Sequence, residues 1–427
     1  MKWFLFFIIF FQGILMADIK YIDFNGKKIP VIFERDTSLP TFNLQLVFTN
    51  AGYIKDGKTP GLANITSSIY NEGTAELGSV GFAKLLEDKA INLSVQNGFE
   101  TFSFEVASLK DYQKYSISLL SRLLFSPNFS TKTLSKTKMM INGKLKRKEN
   151  DYDYLASNGL NELMYAKTPL QFSKLGNEKT ISKITLADVR KFTKQNLTLQ
   201  NLIVVCGGDV EFEEFAEQFK DVLRNIEDGA PASKLDYFEV SKEQKSESIT
   251  KPTEQAYIYF GSPFFMKTDD SEQHLAKVAS FILGGSGFGS RLTEEVRVKR
   301  GLAYSAYSFI SINKTNTNMN GYLQTKLTSA DEAVKLVREI IAEFVKNGVT
   351  QKELDGAIAF ISGSEPLRVE TLSQRLGRSF SLHYRGLPQD YQETELAKIE
   401  KISLDELNNF IKKHNEIELL SFFVVKK

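Results

Sequence analysis

One order of elements is written twice along this chain, and that repetition limits the fold more than any single motif. In the first half, Phe42, Leu44, Leu46 and Phe48 alternate with Asn43, Gln45 and Val47, the mostly period-two signature of a strand. Thr59-Pro60-Gly61 then opens a helix running to about Asn71, and Ser79 caps a second helix over 81–91. Strands follow at 92–96 and 101–106, and a long amphipathic helix covers 110–125. The second half reads the same way: a strand at 255–260, helices at 271–283 and 288–299, strands at 301–312 and 318–327, and a long helix over 329–346. Even the residues echo, Gly81-Phe82-Ala83-Lys84-Leu85-Leu86 against Gly287-Phe288-Gly289-Ser290-Arg291-Leu292. The pattern predicts an internal duplication of an α+β unit of about 200 residues.

Local signals fill in the outline. Asn25-Gly26 marks a hairpin, helices are expected at 135–148 and 154–166, and 201–206 reads as the strand that closes the first half. The polar, charged stretch 229–251, with Pro231, reads as a linker, so the units are expected at 18–228 and 252–427. At the front, Lys2 precedes the apolar run 3–11, and Ala17 follows as a small residue suited to cleavage. Residues 1–17 therefore read as a signal peptide, with a retained anchor as the competing reading, and the protein is expected to be exported and periplasmic. No later segment looks long and apolar enough to span a membrane. The formal net charge of +2 supplies no basic field for nucleic acid. Cys206 is the single cysteine and lies in an apolar run, so it reads as a buried strand residue rather than a reactive thiol. Gly284, Gly285, Gly287 and Gly289 do not match the spacing of a phosphate loop and read as turn glycines.

The first helix reads Gly61-Leu62-Ala63-Asn64-Ile65-Thr66-Ser67-Ser68-Ile69-Tyr70-Asn71-Glu72-Gly73-Thr74. This resembles the zinc helix of the pitrilysin/insulinase family of metallopeptidases, peptidase family M16, and specifically its small heterodimeric subfamily. In that family the same Gly-Leu-Ala and Gly-Thr frame encloses H-x-x-E-H, two His ligands one helical turn apart with a Glu general base between them. Position by position, Asn64 and Ser68 stand where the histidines would be and Ser67 where the base would be. The family's third ligand, a Glu in a Glu-Ile-Lys-Arg helix, is matched by Lys144 in Lys144-Leu145-Lys146-Arg147. Independently of the family, the chain holds only three histidines, His274, His383 and His414, and no two are close enough to form a helical pair. A serine cannot take a proton from water near neutral pH, and a lysine at a ligand position repels a divalent cation.

The second half keeps a different signature. Glu294-Glu295-Val296-Arg297-Val298-Lys299-Arg300-Gly301-Leu302-Ala303-Tyr304-Ser305 resembles the segment in which the family places an Arg at a helix end and a Tyr at the start of the next strand. Those residues bind substrate backbone or the developing oxyanion, and a guanidinium and a phenol are donors suited to that task. The competing reading pairs Arg297 with Glu294 on the helix surface and buries Tyr304 in the core.

The resemblance covers nearly the whole mature chain. It implies two duplicated LuxS/pitrilysin-like α+β domains, each a mostly antiparallel sheet with helices packed on one face. It also implies a zinc-free accessory subunit of an exported heterodimeric peptidase. No cofactor is expected in this chain; zinc and base would come from an H-x-x-E-H partner subunit of the same family, and Arg297 and Tyr304 would act on a peptide or unfolded-protein substrate. A non-enzymatic peptide-binding or scaffold protein of the same fold is the alternative, and a homodimer is compatible with either.

Overall fold

The computed structural model describes residues 17–230, 234–287 and 289–427. Of the stretch 1–17 read as a signal peptide, all but Ala17 lies outside these residues. So do residues 231–233 of the stretch read as a linker, and Phe288, the second residue of the second-half echo and the first of the helix expected at 288–299.

The first half contributes six strands: β1 Asp18–Phe24, β2 Lys27–Arg35, β3 Thr41–Thr49, β4 Asn92–Asn97, β5 Thr101–Leu109 and β6 Leu202–Gly208. They lie in the order β1-β2-β6-β3-β5-β4, antiparallel except for the β2/β6 pair. Asn25 and Gly26, both at positive φ (50° and 75°), form the β1–β2 hairpin turn that the Asn-Gly pair signals. The helices are α1 Leu62–Tyr70, α2 Gly78–Glu87, α3 Gln113–Phe125, α4 Thr131–Lys148, α5 Tyr152–Met164, α6 Glu178–Lys183, α7 Leu186–Asn196 and α8 Phe212–Leu223. The inward set of β3, Phe42, Leu44, Leu46 and Phe48, is fully buried against α3, α7 and α8 in one aromatic-rich core.

The second half follows the same plan. Its strands are β7 Ser246–Thr250, β8 Gln255–Pro263, β9 Ala303–Ile312, β10 Thr317–Lys326 and β11 Ser421–Lys426. They lie in the order β7-β11-β8-β10-β9, and again a single pair, β7/β11, is parallel. The helices are α9 Gln273–Ser280, α10 Ala330–Asn347, α11 Gln351–Ser364, α12 Leu372–Arg385, α13 Tyr391–Ile399 and α14 Leu404–Lys413. Matching β2, β6, β3, β5 and β4 to β7, β11, β8, β10 and β9 preserves sheet order, chain order and strand direction. The stretch read as a linker therefore ends in a strand, β7, the counterpart of β2. It is an exposed edge with the sequence Ser-Glu-Ser-Ile-Thr and no apolar alternation to announce it. The 271–283 helix also differs from its reading. It leaves α-helical geometry at Phe281 and closes as a π turn, Phe281–Gly285, and a second π turn covers Thr293–Val298.

Besides the helices on its core face, each sheet receives one helix from the other half. Ala156, Leu160, Leu163 and Met164 of α5 pack on Phe423 and Val425 of the second sheet. Leu372, Leu376, Phe380 and Tyr384 of α12 pack on Ile32, Val47, Ile203 and Val205 of the first. Both contacts are close. A Cβ on Gly159 would sit 2.4 Å from the Phe423 ring, and one on Gly207 would sit 2.9 Å from Leu376. Polar groups fix α12 in place. Arg375 holds Glu34 and Asp36, each at 2.7 Å, and the Tyr384 hydroxyl donates to Glu100 at 2.6 Å. Among the described residues no helix is long and apolar enough to cross a membrane.

Candidate functional site

Helix α1 starts where it does because Asp56 reaches its first turn. The carboxylate accepts from Gly61 N at 2.7 Å and Ala63 N at 2.8 Å, two of the amides that a helix start leaves unpaired. Burial pushes the Asp56 carboxyl up to about 7, against the Ala63, Gly61 and Leu62 amides that pull it down. Ala63, Ile65, Thr66, Ile69 and Tyr70 turn inward, and Tyr70 meets Phe102, Phe104 and Phe129 edge-on. Asn64 and Ser68 are left partly exposed on the outer face, one turn apart.

Ser67 is buried, 3.1 Å from Asn64 O and 3.0 Å from Asn97 Oδ1 of β4. Its hydroxyl carries one proton, so turning the Asn97 amide over would let its unpartnered Nδ2 donate to Ser67 while Ser67 donates to Asn64. Either way the hydroxyl is committed to protein partners. Asn71, at the end of α1, completes the contact with β4. Its Oδ1 accepts from Val95 N at 2.9 Å and its Nδ2 donates to Val95 O at 2.8 Å. A side-chain amide thus stands where a neighbouring strand would pair with this edge.

Lys144 is exposed on α4, which packs beside α1 through Ile141 and Leu145. A zinc ion needs deprotonated N, S or carboxylate donors with closed geometry. The set here is a carboxamide, two hydroxyls and an ammonium, with Ser67 already engaged, and it does not fit that ion. Among the described residues no three His, Cys, Asp or Glu side chains come together as a metal site.

In the second half, Arg297 lies in the π turn Thr293–Val298, partly buried and engaged with its surroundings. A tight turn joins it to β9: Gly301 N donates to Arg297 O at 3.0 Å and Leu302 N to Val296 O at 2.9 Å, with Gly301 at φ 60°. Tyr304 then emerges on β9 at 83 % exposure, so it is a surface residue and not part of the core. Glu295 takes up the two neighbouring cations, Lys299 and Arg300, each at 2.5 Å; their hydrogen bonds hold its carboxyl below the usual range.

Further along, the outer edge of β9 is covered. Ser280 Oγ accepts from Ile310 N at 3.0 Å, and Thr293 Oγ1 donates to Ala306 O at 3.1 Å. Gly284 lies so close to β9 that a Cβ there would sit 2.4 Å from Ser308 N. Gly287 and Gly289 occupy the left-handed turn conformations, φ 66° and 93°. Cys206 is fully buried on β6, and burial pushes its thiol well up.

Sequence reasoning missed Asp56, Asn97 and the strand-mimicking role of Asn71. An acid shortly before Thr59-Pro60-Gly61 is a recognisable capping signal. The Asn71–Val95 pairing is long-range and left no local trace.

A duplicated sheet-and-helix unit, a helix framed by Gly-Leu-Ala and Gly-Thr, and an Arg–turn–Tyr unit at the start of a second-half strand together place the chain in the insulinase family, peptidase family M16. The sequence profile of that family matches residues 31–178, and that of the peptidase M16 inactive domain matches residues 183–360. Among relatives, the chain is 42% identical over 417 residues to a Helicobacter pylori protein named non-peptidase homolog YmxG, covering 97% of this chain and 96% of that one. It is 22% identical over 321 residues to a Bacillus subtilis protein named uncharacterized zinc protease YmxG, covering 75% and 77%. Among solved structures, the peptidase M16 inactive domain from Pseudomonas fluorescens superposes with a TM-score of 0.87 at 24% identity, covering 96% of this chain and 98% of that chain. A protease from Helicobacter pylori superposes at 0.85 with 15% identity, covering 96% and 100%. At these identities the superpositions establish the fold.

Proposed function

We propose that this chain is the zinc-free subunit of an exported two-chain peptidase. It would hold a peptide with Arg297 and Tyr304 while a partner bearing H-x-x-E-H supplies metal and base. The observation that carries this reading is the contrast between the two helix-to-strand units. Ser67, at the position of the base, is tied into β4, whereas Tyr304 stands in solvent where a second chain could present a substrate. The names non-peptidase homolog and inactive domain, borne by a relative and a structural neighbour, support the part of the reading in which this chain does not cleave by itself.

The test mixes the purified chain with an H-x-x-E-H family member from the same envelope fraction and follows cleavage of a fluorogenic peptide. The expected result is no turnover by the chain alone, turnover by the mixture, and a loss of about 100-fold with Arg297→Ala or Tyr304→Phe at unchanged assembly, the scale of removing an oxyanion donor. Chelator-sensitive cleavage by the isolated chain overturns the reading. Wild-type rates for both variants remove the role of the pair. The second reading, a scaffold of the same fold that cleaves nothing, is favoured by one observation: Asn71 already occupies the β4 edge on which an extended peptide could pair. It predicts a stable complex with no peptidase activity in any mixture.

A further inference from the structure

Helix α12 has two working faces. Leu372, Leu376, Phe380 and Tyr384 lie on the first sheet, as described above. The opposite stripe, Arg378, Ser381, Leu382 and Arg385, faces an open cavity of about 420 Å³ bordered by α9, the far end of β9 and α13. That volume lies within the range of small-ligand sites, and none of the residues discussed for peptide cleavage lines it.

Three cations line this cavity, and two of them are neutralised. Lys277 meets Glu395 at 2.5 Å, and Arg378 meets Glu365 at 2.6 Å. Arg385 is different. Its Nη2 donates to the neutral amide oxygen of Gln273 at 2.5 Å, and its Nε is buried without a partner. Among the described residues it forms no ion pair. A half-buried guanidinium whose one side-chain hydrogen bond goes to a neutral amide is an anion seat, because a charge-assisted hydrogen bond to it is about twice as strong as a neutral one.

The surroundings narrow the anion. With Glu395 and Glu365 set against Lys277 and Arg378, the surplus is a single positive charge, so a monoanion balances it and a dianion would be repelled by Glu395. Of the remaining wall, Ala276, Ile310, Ile312 and Leu382 form an aliphatic patch, and Ser280, Ser381, Tyr391 and Gln392 are polar. We infer that this cavity binds a carboxylate carrying a short aliphatic arm, with the carboxylate on Arg385 and the arm against Ile310, Ile312 and Leu382. Two sources offer that chemistry, the C-terminal residue of a peptide and a free branched-chain acid. The inference goes beyond the proposed function and does not depend on a peptidase partner.

Calorimetric titration of the full-length chain decides it, with four probes: acetyl-Ala-Leu as the free acid, the same dipeptide as its amide, 4-methylpentanoate, and inorganic phosphate. The expected result is binding of the dipeptide acid and none of the amide. Arg385→Gln should weaken binding by about tenfold or more, the worth of one charge-assisted hydrogen bond. Should Arg385→Gln fail to fold, Ser381→Asp carries the test. Ser381 is exposed, so the new carboxylate is tolerated, and it cancels the surplus charge and should abolish binding. Binding of 4-methylpentanoate as tightly as the dipeptide acid supports the site and assigns it to free acids. Much tighter binding of the dipeptide acid assigns it to chain termini. Equal binding of acid and amide, phosphate binding as tight as either acid, no binding of any probe up to millimolar concentration, or affinities unmoved by both variants would each overturn the inference. These titrations use the chain without a metal-bearing partner and read no turnover, which separates this result from that of the peptidase assay.

Discussion

The two halves share one topology but treat the helix beside the outer strand differently. In the first half α1 is regular, anchored by a buried aspartate, and ends in Asn71, whose amide pairs with both backbone groups of Val95. In the second half the corresponding helix breaks at Phe281 into a π turn, and the outer strand is covered at separate points by Ser280, Thr293 and Gly284. The same problem, an unpaired sheet edge, is met by one residue that mimics a strand in one half and by three scattered contacts in the other. The second solution leaves the start of β9 open, and Tyr304 sits there.

The comparison can be tested most severely at the exchanged helices. Phe423→Ala, which strips the seat of α5, should cost about 4 kcal/mol, and Leu376→Ala, which strips the seat of α12, about 3 kcal/mol. Urea unfolding followed by fluorescence and circular dichroism should show one transition for each variant. Two separated transitions would mean that the halves are independent. Next in size is Asn71→Ala, expected to cost about 2 kcal/mol because it leaves Val95 N and O unpaired. Ser280→Ala, which frees only Ile310 N, should cost about 1 kcal/mol. Amide hydrogen exchange would report faster exchange at Val95 in the first variant and at Ile310 in the second, each without the other.

A separate effect concerns pH. Because the folded state raises the Asp56 carboxyl to about 7, its stabilising contribution is complete below the ordinary carboxylate range and is lost as pH rises through about 7. Wild-type stability should therefore fall across that interval relative to Asp56→Asn. A parallel pair of stability curves would show that Asp56 is ionised throughout.

Much of this was legible in the residues. The duplication was carried by apolar periodicity and survives as matched sheet orders, and the buried alternation of β3 is the one that Phe42, Leu44, Leu46 and Phe48 spell out. The loss was greatest where tertiary contacts override local pattern. Strand β7 carries a single apolar side chain, Ile249, because it pairs at an exposed edge with the parallel strand β11. The first π turn, Phe281–Gly285, contains Gly284, which fits closely against Ser308 of a strand later in the chain. At the candidate site, the residue types at 64, 67, 68, 297 and 304 could be read directly. The engagement of Ser67 by Asn97, and of Val95 by Asn71, depends on which strand lies beside α1.

The reciprocal seating of α5 and α12 has a mechanical meaning. Swinging the halves apart would strip the aliphatic cover from two sheets at once and pull Arg375 away from Glu34 and Asp36, so the interior hinge is effectively locked. The chain should move as one stiff jaw. Any opening and shutting around a captured molecule would then have to take place against a second polypeptide, at a boundary outside this fold.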